Sequence, residues 1–255
     1  MAGTAAIING AGSSSLTVTG TSVLANSVTT SGHQIYNGAV TLAEDTNLVT
    51  TANGSMTFNS TLDSVSAASP KSLSANISSS TYYWVDWTTA NDVAKTVTGS
   101  VTIDGSVITV VYSNPQGWAG VQTSGGTNYW TGSPSPYTSA VVANGPASTD
   151  IIRLQYAGTQ SLTFSESVEN VAFSVVSLNG NGYGFNQDFA IASYTGFNGA
   201  GSSFYGTGTL SKSYDSATQQ YKLLGTSGEP HGTIRFVNST SNLSWSSLSN
   251  ENWNG

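Results

Sequence analysis

Two histidines, thirteen aspartates and glutamates and no cysteine are the reactive inventory of this 255-residue chain. His231 lies in Gly228-Glu-Pro-His-Gly232 with Arg235 just downstream, so Glu229 and His231 have the residue types of a general acid–base pair. Loop residues of these types also bond to each other and shape turns, and that structural role is the expectation here. His33 sits in a Gly-His-Gln turn with no second nitrogen or sulfur ligand nearby and reads as a solvated turn residue. No Gly-x-Ser-x-Gly elbow is present, so a serine hydrolase of that class has no support. Glycan cleavage needs two carboxyls roughly 5–10 Å apart across a sugar. The candidates are Glu44-Asp45, Asp86, Asp188, and Glu166 with Glu169. Glu44-Asp45 falls at a turn, and Glu166 and Glu169 flank Ser-Val at a strand end, where carboxylates are ordinarily just solvated. No catalytic residue is assigned, and the chain reads as a non-enzyme.

Binding chemistry has better material. Asn179-Gly-Asn-Gly-Tyr-Gly-Phe-Asn-Gln-Asp188 concentrates hard oxygen ligands in a Gly-rich stretch, which makes Asn179, Asn181 and Asp188 candidate calcium ligands. The stretch lacks the carboxylate density of an EF-hand, and a turn-rich connection explains it equally well. Calcium is the only cofactor the sequence suggests. Sugars are held by flat aromatic faces ringed by hydrogen-bonding side chains. Trp118, Tyr129 and Trp130 lie in the Gly-, Pro- and Ser-rich segment from Asn114 to Tyr137 and are the candidate glycan-binding residues. Trp84 and Trp87 flank Val85-Asp86. Trp245 and Trp253 read as core residues, because a chain without disulfides needs large rings to fill its interior.

Composition bounds the rest. Charged residues are 7% of the chain, against roughly 25% in an ordinary soluble domain. A formal charge of −7 with six Lys and Arg residues argues against a nucleic-acid surface or a polybasic membrane site. No apolar run approaches the roughly 20 residues of a membrane span. Met1-Ala2-Gly3-Thr4 lacks a signal-peptide pattern, and the natural chain is expected to begin earlier.

The elements that must position these groups are short strands. Ser15–Thr19, Ala39–Leu42, Asn47–Thr50 and Ser55–Phe58 alternate apolar with Thr or Ser, so each buries one face. Asn37-Gly38 and Asn53-Gly54 between them suit tight turns with positive φ. Such pieces fit a right-handed β-solenoid, whose coils bury a face by stacking on their neighbours. Later, Thr96–Ile103 and Ser106–Tyr112 flank Asp104-Gly105, a two-residue hairpin signal. Leu162 with Phe164, Val171–Leu178, Thr233–Phe236 and Leu243–Trp245 are further strands. No window has the amphipathic period of a helix.

Val28–Phe58, through Gln34-Ile-Tyr-Asn-Gly-Ala-Val-Thr-Leu42 and Met56-Thr-Phe58, resembles the coil repeat of filamentous-haemagglutinin-type adhesins. That resemblance implies a stalk that carries a terminal domain away from the cell. Residues 97–255 resemble the β-sandwich of secreted bacterial proteins that carry an exosortase sorting signal of the Pro-Glu-Pro class. The matching pieces, in order, are Thr149–Ile152, Leu162–Asn170, Val175–Leu178, Gly232–Phe236, Leu243–Trp245 and Glu251-Asn-Trp-Asn-Gly255. In that type the Trp-x-Gly end leads into another strand and the sorting tail, whereas this sequence stops at Gly255.

The expectation is therefore all-β: solenoid-like coils over 1–65, a linker or long loop over 66–80, and a jelly-roll-like antiparallel β-sandwich over 81–255. The expected role is adhesion or architecture at the surface, or in the extracellular biofilm matrix, of a Gram-negative bacterium. The expected partners are surface or matrix polysaccharide, or copies of the chain in a fibre, with no nucleic acid and no membrane insertion. The alternative is a lectin-like glycan-binding module, with or without calcium, and a third reading is a polysaccharide-degrading enzyme.

Overall fold

The computed structural model describes residues 15–30, 32–50, 54–77, 81–139, 141–197, 200–236 and 238–255. The described chain is all-β, with no α-helix, and divides into two units, Met1–Ser80 and Thr81–Gly255.

The first unit has seven strands: β1 (Leu16–Val18), β2 (Ser22–Thr30), β3 (Gln34–Tyr36), β4 (Val40–Thr50), β5 (Met56–Phe58), β6 (Leu62–Ser64) and β7 (Leu73–Ile77). β1 to β6 alternate between two parallel sheets, and β7 joins the second. One has the order β1-β3-β5, and in the other β2 pairs with β4, which pairs with β6 along its first half and β7 along its second. Leu16 stands beside Gln34 and Gln34 beside Met56, so successive passes stay in register. Leu24, Tyr36, Val40, Leu42 and Leu48 form the buried interior, and the Tyr36 and Phe58 rings stack 5.1 Å apart at 9°.

Three expectations change here. The Asn-Gly glycines serve close approach and not positive φ: a Cβ on Gly38 would lie 2.3 Å from the Gly20 carbonyl oxygen, and on Gly54 2.0 Å from that of Gly32. His33 is not a solvated turn residue. Its main-chain N–H donates to Ser15 Oγ at 3.0 Å, and Ser55 N–H donates to its Nδ1 at 2.9 Å, which ties three passes together. Residues 66–80, expected as a linker or long loop, contain β7. The turn before it is pinned by Ser72 N–H on Asp45 (2.8 Å) and by the Lys71–Glu44 ion pair (3.0 Å). Its Ser-rich sequence hid a strand whose partners are main-chain groups of β4.

The second unit contains β8 (Asp86–Asn91), β9 (Thr96–Ile103), β10 (Ser106–Ser113), β11 (Gly120–Gln122), β12 (Ile151–Arg153), β13 (Gly158–Val168), β14 (Ala172–Val175), β15 (Gly182–Phe185), β16 (Phe189–Ser193), β17 (Gly208–Asp215), β18 (Gln220–Gly228), β19 (Gly232–Phe236) and β20 (Thr240–Ser247). Eight of them form an antiparallel sheet in the order β17-β18-β15-β20-β13-β10-β9-β8. A three-stranded sheet, β14-β19-β16, and the pair β11-β12 complete the unit. Asp104 and Gly105 both have positive φ, 49° and 86°, as a tight Asp-Gly hairpin requires. One apolar cluster is shared by the two larger sheets: Tyr183, Phe185, Leu223 and Trp245 come from the eight-stranded one, and Ile234 and Phe236 from the three-stranded one. Trp245 is 3% exposed and packs against Tyr112, Phe173, Tyr183 and Phe185 at 5.2–6.3 Å.

Candidate functional site

The segment from Asn114 to Tyr137 is a folded loop interrupted by β11. Asn114 is buried and braces its start, donating from Nδ2 to Gly117 O at 2.6 Å. Trp118 leans on Tyr112, 6.4 Å between rings, packs against the core cluster and carries Lys95 over its face at 5.9 Å. Trp130 turns inward. Its Nε1 donates to Asp150 O at 2.9 Å, and its ring meets the edge of fully buried Tyr137 at 5.3 Å. Tyr129 turns the other way and joins Phe204, Tyr205 and Trp253, at 5.2, 5.9 and 5.1 Å. The three candidate glycan residues therefore divide among three settings, and only Tyr129 belongs to a partly exposed aromatic patch. Trp253, expected in the core, is half-buried in that patch. The signal for Phe204 and Tyr205 lay in the sequence: an aromatic pair between Gly-Ser-Ser and Gly-Thr-Gly has no alternation to bury it.

Behind Trp130 lies a mainly apolar pocket of about 150 Å³, walled by Trp84, Trp87, Trp130, Phe173 and Trp245, with Asp150 at its polar edge. Trp84 is set by its Nε1 bond to Asn144 O (3.2 Å). The Asn144 side chain clamps the main chain of Tyr82 through two bonds, of 2.6 and 2.8 Å. Asp150 is 7% exposed and accepts from Trp87 N–H at 3.1 Å. Burial raises its carboxyl above the usual range, opposed by the bonds from Trp87 and Ser148, and Asp86 raises it further by its charge and by direct hydrogen bonding.

The calcium candidates have protein partners. Asn179 Nδ2 donates to Glu229 Oε1 at 3.0 Å. Asn181 Oδ1 accepts from the main chains of Gly182 and Ser249, at 2.7 and 3.0 Å. Asp188 is paired with Lys212 and caps Phe189 N–H at 2.7 Å. The Gly-rich stretch is also not one loop, because its middle is β15, a strand between β18 and β20. Tyr183 and Phe185 enter the core. Gly182 and Gly184 leave room for Leu224 and Gln220, to which a Cβ would come within 2.7 and 2.4 Å. Among the described residues no three His, Cys, Asp or Glu side chains gather as a metal site.

Glu229 and His231 do not form a side-chain pair. The Glu229 carboxylate accepts from Ser177 Oγ (2.6 Å) and Asn179, while His231 donates from Nδ1 to Glu229 O at 2.8 Å. His231 Nε2 lies 2.6 Å from the Thr195 hydroxyl, and burial lowers the ring's pKa. A buried neutral imidazole with both nitrogens engaged orders a turn, as the sequence suggested. Glu251 was not singled out from sequence: burial pushes its carboxyl up to about 7, against a bond from Asn254 Nδ2 at 2.9 Å. Comparison of the chain with protein-family models, curated proteins and solved structures finds no match.

Proposed function

We propose that this chain is a non-catalytic part of a secreted bacterial surface or matrix protein, acting in adhesion or as architecture. The observation that carries the reading is the coil-to-coil register of the first unit. Asn59 donates to Asn37 at 2.7 Å and Asn76 to Asn47 at 2.6 Å, across sequence separations of 22 and 29 residues. Like side chains stacked pass upon pass are what a β-solenoid stalk uses to extend, and the likeness of Val28–Phe58 to haemagglutinin-type coils agrees. In the second unit the core shared by two sheets supports a β-sandwich, the architecture implied by the exosortase-type resemblance. The test is retention of chain-coated beads on a film of bacterial extracellular polysaccharide under flow, with sedimentation velocity over a concentration series. Retention, or assembly into a fibre, is the expected result. Beads that wash off together with a monomer at every concentration would overturn it.

A second reading, a glycan-binding module, is favoured by the exposed aromatic patch around Tyr129. A glycan array run with calcium and then with chelator separates it from a calcium-assisted lectin, since this patch requires no ion.

A further inference from the structure

Four aromatic side chains form one surface on the second unit. Phe204 and Tyr205 are 47% and 42% exposed. The Tyr129 and Tyr205 rings lie 20° from parallel, and Trp253 closes the group 5.2 Å from Tyr205. The tip that presents them is built. Ser203 and Gly206 exchange main-chain bonds of 2.7 and 3.2 Å, Ser203 Oγ adds a third at 3.2 Å, and Gly201 N–H is anchored on Pro134 O at 3.0 Å. Rings held outward by a closed turn lose little entropy on meeting a ligand.

Beside them stands Arg153. Leu154 and Asn254 exchange main-chain bonds of 2.7 and 3.1 Å, and both are buried. This isolated antiparallel bridge sets Arg153 opposite Gly255, so Arg153 and Trp253 fall on a diagonal of the face away from Leu154 and Asn254. The guanidinium lies over Gly120, where a Cβ would come 2.1 Å from Nη2. Lys71, Lys212 and Lys222 are all in ion pairs. Among the described residues no carboxylate pairs with Arg153, and its buried Nε has no hydrogen-bond partner. The charges of Glu229 and Arg153 both reach the Tyr205 phenol, but the Glu229 carboxylate is committed to Ser177 and Asn179. An unpaired guanidinium in a chain of net charge −7 is a place for an anion from outside. Its planar fork fits a carboxylate, and the rings beside it fit the C–H face of a pyranose.

We propose that Tyr129, Phe204, Tyr205, Trp253 and Arg153 form a binding site for a hexuronate residue of an acidic polysaccharide. This rests on the reading of the chain as a surface or matrix protein and names the ligand class of that role. The experiment titrates the full chain, in chelator, with a galacturonate oligosaccharide and with its carboxyl-reduced neutral counterpart, followed by calorimetry. The wild-type chain is expected to bind the charged oligomer at least tenfold more tightly than the neutral one. Tyr205→Ala weakens both about tenfold without changing the melting temperature. Arg153→Gln brings the charged oligomer down to the level of the neutral one, and Arg153→Lys restores part of the difference. Equal wild-type affinities, no binding, or an unaltered Tyr205→Ala chain would each overturn the site. Beads coated with wild-type chain separate the two readings: retention on the matrix film without oligomer binding removes this site alone, whereas beads that wash off remove the surface role as well.

Discussion

Inside the coil unit the buried polar groups form a ladder, whereas the antiparallel unit is centred on rings packed edge to face. Gln34, fully buried, donates from Nε2 to Val49 O (2.9 Å) and Val28 O (3.1 Å), and its Oε1 accepts from the Tyr36 hydroxyl (3.1 Å). Thr30 and Thr50, on adjacent strands, each donate to a turn carbonyl at 2.7 Å, those of Gly32 and Gly54. In the second unit Phe185 alone meets Phe173, Phe189 and Phe236 at 5.0–5.6 Å with ring planes 67–78° apart. The first arrangement takes its order from neighbouring passes and can repeat without limit. The second closes on itself, and its leftover aromatics become surface features.

Removing a central ring is the strongest test of that contrast. Trp245→Ala takes away four aromatic contacts at once and is expected to cost about 3–5 kcal/mol, read as a shift in the urea midpoint of the near-ultraviolet signal. A cost under about 1 kcal/mol would mean that the shared core is not what holds the two sheets. Next comes the ladder. Gln34→Leu keeps the volume but strands Val28 O, Val49 O and the Tyr36 hydroxyl, with an expected loss of about 3 kcal/mol at roughly 1–3 per orphaned group. Gln34→Glu is expected to be no better, because a carboxylate cannot donate to the two carbonyls. If Gln34→Leu melts like wild type, hydrogen bonding is not the ordering force of the coils.

A smaller effect separates structure from binding among the loop aromatics. Trp118→Ala and Trp130→Ala are each expected to cost about 2–3 kcal/mol, below the range of fully buried rings because both are half-buried, and to leave oligosaccharide binding at the Tyr205 patch intact. Sugar binding lost without loss of stability would return the site to those residues. The sequence pointed to them because Trp in a Gly- and Pro-rich segment looks exposed. It carries no sign that Trp130 Nε1 would find Asp150 O twenty residues on. What was legible follows from local rules: the short alternating strands of the coils, the Asp104-Gly105 hairpin and the absence of helix among the described residues. What was not legible depends on distant partners. The strand β15 was hidden because Gly-Tyr-Gly-Phe reads as turn until Leu224 and Gln220 occupy the space above its glycines. His33 read as solvated because Ser15 and Ser55, which hold it, come from neighbouring passes.

The smallest expected effect is set by pH and falls on the antiparallel unit. Glu251 titrates near 7 in the folded chain, against an ordinary 4.5, because burial disfavours its charged form. A folded pKa above the unfolded one means that the folded state binds the proton more tightly. The stabilisation is therefore complete below about pH 4.5 and is lost as pH rises to about 7. Glu251 as a residue is only partly buried, although its Oε1 is enclosed and unpartnered, so the loss between these limits is expected to be of order 1 kcal/mol and not the full value of the shift. His231 works in the opposite direction. Its folded pKa lies below the ordinary 6.5, and its stabilisation is present above that pH and fades on acidification. Glu251→Gln isolates the two. Compared with wild type, that chain should melt higher at pH 8 and show no gain on going from pH 8 to pH 6. What remains in its profile is the fall below pH 6.5 that belongs to His231. Matching melting profiles for the two chains from pH 4 to 8 would mean that Glu251 stays ionised in the fold, with its charge balanced by the bond from Asn254.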